Sequence, residues 1–250
     1  MRRFDNLVAL VTASTEGIGF AIARKLAQDG AHVVVSSRKQ ANVERAVKSL
    51  KDENLSVTGM VCHVAKKENR MALLDMIVEK LGRLDILVLN AAANPHTGKI
   101  LLTPESVYDK IFDVNVKSTF MFIQESVPLM RKQEKGSVVI VSSMGGYDLH
   151  YAQSVYGFSK TALLGMTKAL VNDLADSNIR INCIAPGIIR TTFSKYLFKN
   201  GEKALVKNAR ARRVGEPDEC AGIVAFLCSG EASYINGETV VVAGETPSRL

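Results

Sequence analysis

Short apolar runs alternate with amphipathic stretches along the whole chain. The apolar runs have the length of strands and predict seven of them, near residues 7–12, 32–36, 56–61, 85–89, 136–142, 179–185 and 238–242. Apolar residues at helical spacing predict six helices between them, near residues 18–29, 40–53, 67–82, 104–131, 154–176 and 217–229. Strands that alternate with helices are typical of a parallel sheet covered on both faces. The sequence therefore predicts an α/β fold with a doubly wound, seven-stranded parallel sheet.

Nothing in the composition divides the chain into separate parts. A length of 250 residues suits one large α/β domain, so we expect a single domain over residues 1–250. Only Thr191–Val214 lacks a clear pattern, because it is polar, basic and dotted with aromatic residues. A loop this long in a compact domain is usually a lid or a binding loop. We therefore expect a substrate lid over about 191–214.

Composition and charge exclude several classes of protein. The chain is 47% hydrophobic and 23% charged, which is ordinary for a soluble globular protein. Its net charge of +7 suits an anionic ligand such as a nucleotide phosphate. No basic tract is interleaved with stacking aromatic residues, so nucleic-acid binding is not expected. No stretch approaches the roughly 18 apolar residues of a membrane helix. The four cysteines lack metal-site spacing, so we expect buried, reduced thiols and no metal.

A glycine-containing loop, Thr12–Gly19, follows the first predicted strand and leads directly into a helix. Glycines in such a loop let the backbone approach a pyrophosphate, which then faces the N-terminus of the helix. A glycine loop alone is often only a tight turn. Here it opens a repeating strand–helix pattern, and that context favours a dinucleotide-binding Rossmann fold.

The end of the second predicted strand indicates which nicotinamide cofactor fits. A site for NAD usually has Asp or Glu there to hold the ribose hydroxyls. This chain has Ser36, Ser37, Arg38 and Lys39 instead. An arginine can bind a 2′-phosphate in a forked, charge-assisted arrangement. The alternative is a basic helix cap without a ligand. We favour the first interpretation and predict NADPH/NADP+ as the cofactor.

Tyr156 and Lys160 form the strongest chemical signal in the chain. Positions i and i+4 share one face of a helix, so the Lys160 ammonium is predicted to lie close to the Tyr156 phenol. A nearby opposite charge lowers a phenol pKa by roughly 1–3 units, toward the range of a general acid. Ser143 follows the apolar strand Val138–Val141 and could hold a substrate oxygen. The alternative is a solvated lysine one turn after a packed tyrosine. With the cofactor loop upstream, the pattern favours carbonyl reduction.

These motifs together resemble the short-chain dehydrogenase/reductase family over essentially the whole chain. The matching positions are the Thr12–Gly19 loop, Asn90-Ala91-Ala92, Asn115, Ser143, Tyr156, Lys160 and Pro186-Gly187. The resemblance implies that Asn115 orders a water in a proton relay to Lys160. It further implies that Ser143 binds the substrate oxygen, that Tyr156 is the acid/base, and that Lys160 also holds the nicotinamide ribose.

The same resemblance implies the binding residues. The implied cofactor-binding set is Thr12, Ser14, Thr15, Gly17, Ile18, Gly19, Ser37, Arg38, Lys39, His63, Val64, Asn90, Ala91, Ala92, Tyr156, Lys160, Pro186, Gly187, Ile189 and Thr191. The expected substrate-binding set is Ser143, Asn94, Tyr147, Phe193 and Tyr196. Three positions depart from the family pattern: Ala13 and Ala92 stand where glycine is usual, and His63 stands where Asp commonly contacts the adenine.

Four strings are similar to one subgroup of that family, the peroxisomal NADPH-dependent carbonyl and retinal reductases of animals. They are Gly30–Lys39, Ser159–Gly165, Cys220–Val224 and Thr246–Leu250. This similarity implies reduction of dicarbonyls, aromatic ketones and retinal-like aldehydes. It also implies a homotetramer, in which helices such as 104–131 and 154–176 pack across two-fold axes.

The tripeptide Ser248-Arg249-Leu250 resembles the Ser-Lys-Leu peroxisomal signal, with one base replacing another. We therefore expect recognition by a peroxisomal import receptor and location in the peroxisome, with a cytoplasmic pool as an alternative. A chance ending of the same composition would have no such role.

Two other functions remain open from the sequence. The chain could act on hydroxysteroids. It could also reduce acyl-CoA thioesters, in which case cations of the lid would bind the phosphates of the acyl carrier. Those cations are Lys203, Lys207, Arg210, Arg212 and Arg213, and the alternative is a solvated lid surface. The chain could also be a non-catalytic nucleotide-binding protein. The complete set of Asn115, Ser143, Tyr156 and Lys160 argues against this, because a pure binder needs no proton donor.

Overall fold

A single seven-stranded sheet, with every pair of strands parallel, forms the centre of the molecule. The computed structural model describes residues 2–96, 98–133, 135–147, 155–200 and 210–244, with only the backbone at Tyr196, Lys199 and Asn200. The strands are β1 Val8–Val11, β2 His32–Ser37, β3 Val57–Val61, β4 Ile86–Leu89, β5 Gly136–Val141, β6 Ile179–Pro186 and β7 Thr239–Val242. Their order across the sheet is β3-β2-β1-β4-β5-β6-β7. The predicted doubly wound parallel sheet is confirmed.

Helices cover both faces of this sheet. They are α1 Gly17–Gln28, α2 Gln40–Asp52, α3 Lys67–Leu81, α4 Glu105–Phe112, α5 Ser118–Met130, α6 Val155–Leu174 and α7 Pro217–Cys228. Side chains of α1, α2 and α7 pack in the hydrophobic core on one face. Side chains of α3, α5 and α6 pack in the core on the other. The described part of the chain contains no helix long and apolar enough to cross a membrane.

The inner strands are apolar on both sides because each side meets a layer of helices, whereas the edge strands β3 and β7 are only partly buried. Along β1, Ala9 and Val11 enter one core, whereas Val8 and Leu10 enter the other. Strands buried on both faces have continuous apolar sequences rather than alternating ones. This explains why the strands could be located from the sequence by their apolar runs. The four cysteines are buried and unpaired, as expected.

The helix predicted over 104–131 is not regular. A π-helical turn, Asp113–Lys117, separates α4 from α5, although the chain continues in one direction. The amide side chain of Asn115 in this turn bonds to the backbone of Ala93, in the loop after β4. A sequence period averages over such a one-turn irregularity, so the pattern shows one helix.

The chain reverses its direction across the sheet between β1 and β4, which are neighbours in space. In open parallel sheets, ligands bind outside the carboxyl ends of the strands at such a switch point. Part of the predicted lid is described here, with a short 3-10 helix at Lys195–Asn200. Residues 201–209 and the tripeptide 248–250 lie outside the described residues, so the targeting signal stays a prediction.

Candidate active site

A cleft of about 540 Å³ opens at the switch point. Its walls come from the loops that follow the strands β1 to β6, from the start of α6, and from both described ends of the lid. A cleft of this volume is in the range of small-molecule and cofactor sites. Most of the predicted site residues line this cleft.

The loop after β1 has the backbone shape that a phosphate site needs. Gly17 has φ +58°, a left-handed conformation that glycine adopts at little cost. A Cβ atom at Gly19 would overlap the Asn90 amide and lie 2.5 Å from the Ala13 carbonyl oxygen. The loop thus packs as closely as it can, and α1 begins there with its N–H groups toward the cleft. The arrangement fits the pyrophosphate of a dinucleotide.

Ala13 adopts the left-handed conformation in the same loop, with φ +50°. An L-residue with a Cβ atom is strained there by roughly 1–2 kcal/mol. Glycine is usual at this position in the family that the sequence resembles, and glycine would adopt this φ at little cost. Alanine at this position therefore adds local strain to the loop.

Two of the predicted cofactor residues lie under the loop rather than in the cleft wall. The hydroxyl oxygen of Thr12 accepts hydrogen bonds from the backbone N–H groups of Asn90 and Ala91, at 3.0 and 3.2 Å. The Ser14 hydroxyl donates to Val11 O at 2.6 Å and accepts from Ser36 N at 3.0 Å. Both side chains are buried. They join the ends of β1, β2 and β4, and so hold the loops in place.

The nucleotide end of the cleft is basic. Ser37, Arg38 and Lys39 line it together with Asn42, and Arg38 and Lys39 are exposed. Among the described residues, the carboxylates that line the cleft are Glu16 and Glu219, and neither follows β2.

The loop after β3 forms the neighbouring wall of this end, through Cys62 and Val64. His63 lies between them but does not line the cleft, and its Nδ1 atom is buried without a hydrogen-bond partner. Burial and the Arg38 charge lower the pKa of His63. Burial raises the pKa of the Cys62 thiol to about 11, so this thiol stays protonated and unreactive.

Ser143 lies directly after β5, at the other end of the cleft. Its hydroxyl oxygen accepts a hydrogen bond from Gly145 N at 3.0 Å and so caps a short 3-10 turn, Met144–Gly146. The hydroxyl hydrogen has no acceptor among the described residues. The side chain can therefore donate to a substrate oxygen in the cleft.

Tyr156 and Lys160 lie one turn apart at the start of α6, and both line the cleft. The Lys160 ammonium lies 5.6 Å from the centroid of the Tyr156 ring and donates to Val141 O at 2.7 Å. Burial lowers the pKa of Lys160 to about 8. The Tyr156 ring is 5.9 Å from that of Phe193, which belongs to the lid.

Asn115 lies behind the cleft and is completely buried. Its Oδ1 atom accepts from Ala93 N at 2.7 Å, and its Nδ2 group donates to Ala93 O at 3.1 Å and to the Ser159 hydroxyl at 2.9 Å. These bonds use both hydrogens of the Nδ2 group, and the backbone carbonyl of Asn115 accepts from the Thr119 hydroxyl at 2.8 Å.

The structure thus sorts the predicted residues into two groups. Those that line the cleft are Thr15, Gly17, Ile18, Gly19, Ser37, Arg38, Lys39, Val64, Asn90, Ala91, Ala92, Ser143, Tyr156, Lys160, Pro186, Gly187, Ile189, Thr191 and Phe193. Thr12, Ser14, His63, Asn115, Asn94 and Tyr147 do not line it. The side chain of Tyr196 lies outside what the structure describes.

Several residues of the cleft wall were not predicted. Asn42 lies in the first turn of α2, three residues after Lys39, and Ser142 precedes Ser143. Arg213 was predicted as a possible phosphate ligand of the lid, but it pairs with Glu219 through two bonds of 2.7 Å, and both residues line the cleft. Of the unpredicted residues Asn42 and Ser142, only Ser142 had a signal in the sequence, because it is a second hydroxyl directly before Ser143. In the described residues, no cluster of three or more His, Cys, Asp or Glu could hold a metal.

Comparisons with known proteins give the family. The protein-family model described as enoyl-(acyl carrier protein) reductase matches residues 12–244. The chain is 58% identical to dehydrogenase/reductase SDR family member 4 of Homo sapiens, over 98% of this chain and 89% of that protein. It is 50% identical to tropinone reductase-like 3 of Erythroxylum coca, over 100% of this chain and 96% of that protein.

A solved structure gives the same result. The structure of 7α-hydroxysteroid dehydrogenase complexed with NADH and 7-oxo glycochenodeoxycholic acid has a TM-score of 0.91 and 30% sequence identity, and covers 99% of this chain and 97% of that chain. The fold, the cleft and these relatives agree: the chain belongs to the short-chain dehydrogenase/reductase family, whose members are nicotinamide-dependent oxidoreductases of alcohol and carbonyl groups.

Proposed function

We propose that the protein reduces carbonyl compounds to alcohols with NADPH, and that Tyr156 is the general acid. One observation carries this proposal: a single cleft has Ser143, Tyr156 and Lys160 at one end and two exposed cations, Arg38 and Lys39, at the other. A proton donor and a phosphate-binding end in one cleft suit a reaction between a carbonyl and a phosphorylated dinucleotide.

In the proposed complex, such a dinucleotide extends along the whole cleft. The loop at Gly17–Gly19 would hold the pyrophosphate, and Arg38 and Lys39 would hold the 2′-phosphate. Lys160 would hold the nicotinamide ribose, next to the wall formed by Pro186 and Gly187. When bound, the nicotinamide supplies the hydride that the carbonyl carbon receives.

The protein's own groups would act on the carbonyl oxygen. The Ser143 hydroxyl donates a hydrogen bond to this oxygen and fixes its position. Tyr156 gives the oxygen its proton as negative charge develops there, a step worth roughly 10²–10⁴-fold in rate. The Lys160 ammonium, held by Val141 O, places a positive charge beside the Tyr156 ring. That charge favours release of the proton by the phenol.

The preference for NADPH rests on charge at the end of β2. Arg38 and Lys39 are the side chains that a 2′-phosphate would meet, and the carboxylates of the described cleft wall lie elsewhere. A carboxylate at the strand end, which would repel the phosphate, is replaced here by Ser37. The preference for NADPH does not depend on Tyr156, so it can be wrong even if Tyr156 is the general acid.

The substrates that we propose are dicarbonyls, aromatic ketones and retinal-like aldehydes. They follow from the similarity to the carbonyl and retinal reductase subgroup, and the apolar walls contributed by Met144, Phe193 and Leu197 support them. The test is consumption of NADPH by the purified protein across dicarbonyls, aromatic ketones, retinal, quinones and steroids. Turnover of dicarbonyls or aromatic ketones is expected, and an inactive panel would refute the proposal.

Two alternatives have specific support. One of the similar solved structures is a hydroxysteroid dehydrogenase with a bile-acid ligand, which favours steroids as a second class of substrate. The matching family model is described as an enoyl-(acyl carrier protein) reductase, which favours acyl thioesters. Inhibition of carbonyl reduction by acyl-CoA esters would point to thioesters. Oxidation of a hydroxysteroid faster than reduction of any ketone would point to steroids.

We also propose that the protein is a homotetramer. Large apolar side chains are exposed near and along α4, α5 and α6, and they include Leu101 at 97%, Leu102 at 70%, Tyr108, Phe120 and Phe158. Exposed apolar residues of this size on these helices support burial of the helices in an interface between subunits. Light scattering should give about four times the monomer mass of 27.2 kDa. A monomer at micromolar concentration would refute the assembly.

A further inference from the structure

One buried hydroxyl, that of Ser159, connects two parts of the active site. It donates to Tyr156 O at 2.7 Å and accepts from the Asn115 Nδ2 group at 2.9 Å. The side chain of Ser159 has no exposed surface. The Ser159 hydroxyl oxygen therefore bonds the first turn of α6 to the π-helical turn.

The connection extends to the wall of the cleft. Asn115 also bonds to both backbone groups of Ala93, at 2.7 and 3.1 Å, and Ala93 lines the cleft. The chain of contacts is thus Tyr156 to Ser159, Ser159 to Asn115, and Asn115 to Ala93. Every step is a hydrogen bond between buried or partly buried groups, where such bonds fix geometry most strongly.

Lys160 is held in a different way. Its ammonium donates to Val141 O at 2.7 Å, and its backbone carbonyl accepts from the Ser142 hydroxyl at 2.8 Å. Both partners belong to β5 or its end and not to the π-helical turn. The bonds that hold Tyr156 and those that hold Lys160 can therefore be broken separately.

We propose that Ser159 is a positioning residue for the proton donor, which fixes Tyr156 relative to the loop after β4 through Asn115. This rests on the proposed function, in which Tyr156 is the general acid. Replacement by alanine removes a donor and an acceptor at once. Tyr156 then loses the restraint that the Ser159 hydroxyl gives it against the π-helical turn, whereas Lys160 keeps its bonds to Val141 O and the Ser142 hydroxyl.

The test compares Ser159→Ala and Ser159→Cys with Ser137→Ala. Ser137 is a matched control, since its hydroxyl is also buried and also donates to a backbone carbonyl, that of Leu227. It lies at the start of β5, whereas the cleft lies beyond the end of this strand. Ser159→Ala should lower kcat by roughly 10- to 100-fold, since a displacement of about 1 Å of a catalytic group has effects of this size. Binding of NADPH, measured by fluorescence, should stay within about twofold. Ser159→Cys should lie between Ser159→Ala and the wild type, because a thiol is a weak donor and acceptor.

The pH profile separates positioning from a general loss of structure. With Tyr156 farther from the Lys160 ammonium, its proton is lost less easily, so the fall of kcat at high pH should move to higher pH in Ser159→Ala. Loss of structure alone would lower kcat equally at every pH. A profile of unchanged shape, or a kcat equal to that of Ser137→Ala, would overturn the inference.

Hydrogen exchange separates this inference from the proposed function. The Ala93 amide and the first turn of α6 should exchange faster in Ser159→Ala but not in Ser137→Ala. If the wild type reduced no carbonyl, the proposed function would fail, and exchange would still decide whether Ser159 holds the two segments together. If the wild type were active, Tyr156→Phe inactive and Ser159→Ala like the control in rate and exchange, only the inference would fail.

Discussion

The two ends of the cleft are built in different ways. At the chemical end, Lys160 is buried and bonded to the backbone, and Ser143 caps a turn. At the nucleotide end, Arg38 and Lys39 stand exposed on the surface. Proton transfer needs fixed distances, whereas recognition of a phosphate by charge tolerates movement. Changes at the first end should therefore act mainly on kcat, with Lys160 also affecting cofactor affinity because it would hold the nicotinamide ribose, and changes at the second on the KM of the cofactor.

Tyr156→Phe should give the largest effect, because it removes the proton donor and keeps the ring. We expect kcat to fall by roughly 10²–10⁴-fold, with the affinity for NADPH unchanged. Steady-state kinetics with a dicarbonyl and fluorescence titration of NADPH would measure the two. Tyr234→Phe is the matched control, since this tyrosine is fully exposed and does not line the cleft. A kcat within a few-fold of the wild type would remove Tyr156 from the mechanism.

Lys160→Met should weaken activity and strengthen the fold. Burial lowers the pKa of Lys160 from 10.5 to about 8, which corresponds to roughly 3 kcal/mol against folding at neutral pH. Loss of the charge-assisted bond to Val141 O offsets about 1.5–3 kcal/mol of this. We expect kcat to fall at least about 100-fold and the KM for NADPH to rise, while the free energy of unfolding at pH 7 rises by about 1 kcal/mol or less.

The same substitution makes a prediction about pH. Between about pH 8 and 10.5, the unfolded chain binds more protons at this lysine than the folded chain does. The lysine's contribution to wild-type stability therefore becomes less unfavourable as the pH rises, and the advantage of Lys160→Met shrinks. Denaturant titrations at pH 7 and pH 10 would show this. A constant difference between the two proteins would mean that Lys160 is not held at a lowered pKa.

Arg38→Ala tests the exposed end. Loss of a charge-assisted contact of about 1.5–3 kcal/mol should raise the KM for NADPH by roughly ten-fold or more and leave that for NADH little changed. Arg131→Ala is the control, since Arg131 is exposed and lies at the end of α5, away from the cleft. Equal losses with both cofactors would contradict a role for Arg38 at the 2′-phosphate.

The smallest expected effect is that of Ala13→Gly. Glycine relieves the left-handed strain at φ +50° but adds entropy to the unfolded chain, so we expect a net gain in stability of about 0.5 kcal/mol. Ala169→Gly, at an exposed position in α6, should instead cost about 1 kcal/mol. Thermal unfolding of the two variants and the wild type would measure these changes in stability. A loss of stability in Ala13→Gly would mean that the loop has no strain to relieve.

The difference between the two ends also explains what the sequence could predict. Tyr156 and Lys160 are one helical turn apart, and Arg38 and Lys39 directly follow a strand, so local patterns identified both pairs. The fold was predictable for the same reason, because each strand is a local run of apolar residues. The bonds of Asn115 join residues far apart in the chain, to Ala93 and to Ser159, and no local period contains them. The π-helical turn and the support of the active site could therefore be found only in three dimensions.

The account's central claim is that one cleft brings a hydride from NADPH and a proton from Tyr156 to the same carbonyl group. The most direct measurement uses NADPH carrying deuterium at the transferable C4 position, with a dicarbonyl substrate in ordinary water. The account predicts an alcohol with deuterium on the carbinol carbon, formed by the wild type and by Tyr234→Phe but not at a comparable rate by Tyr156→Phe. An unlabelled alcohol, or equal rates for all three proteins, would contradict it.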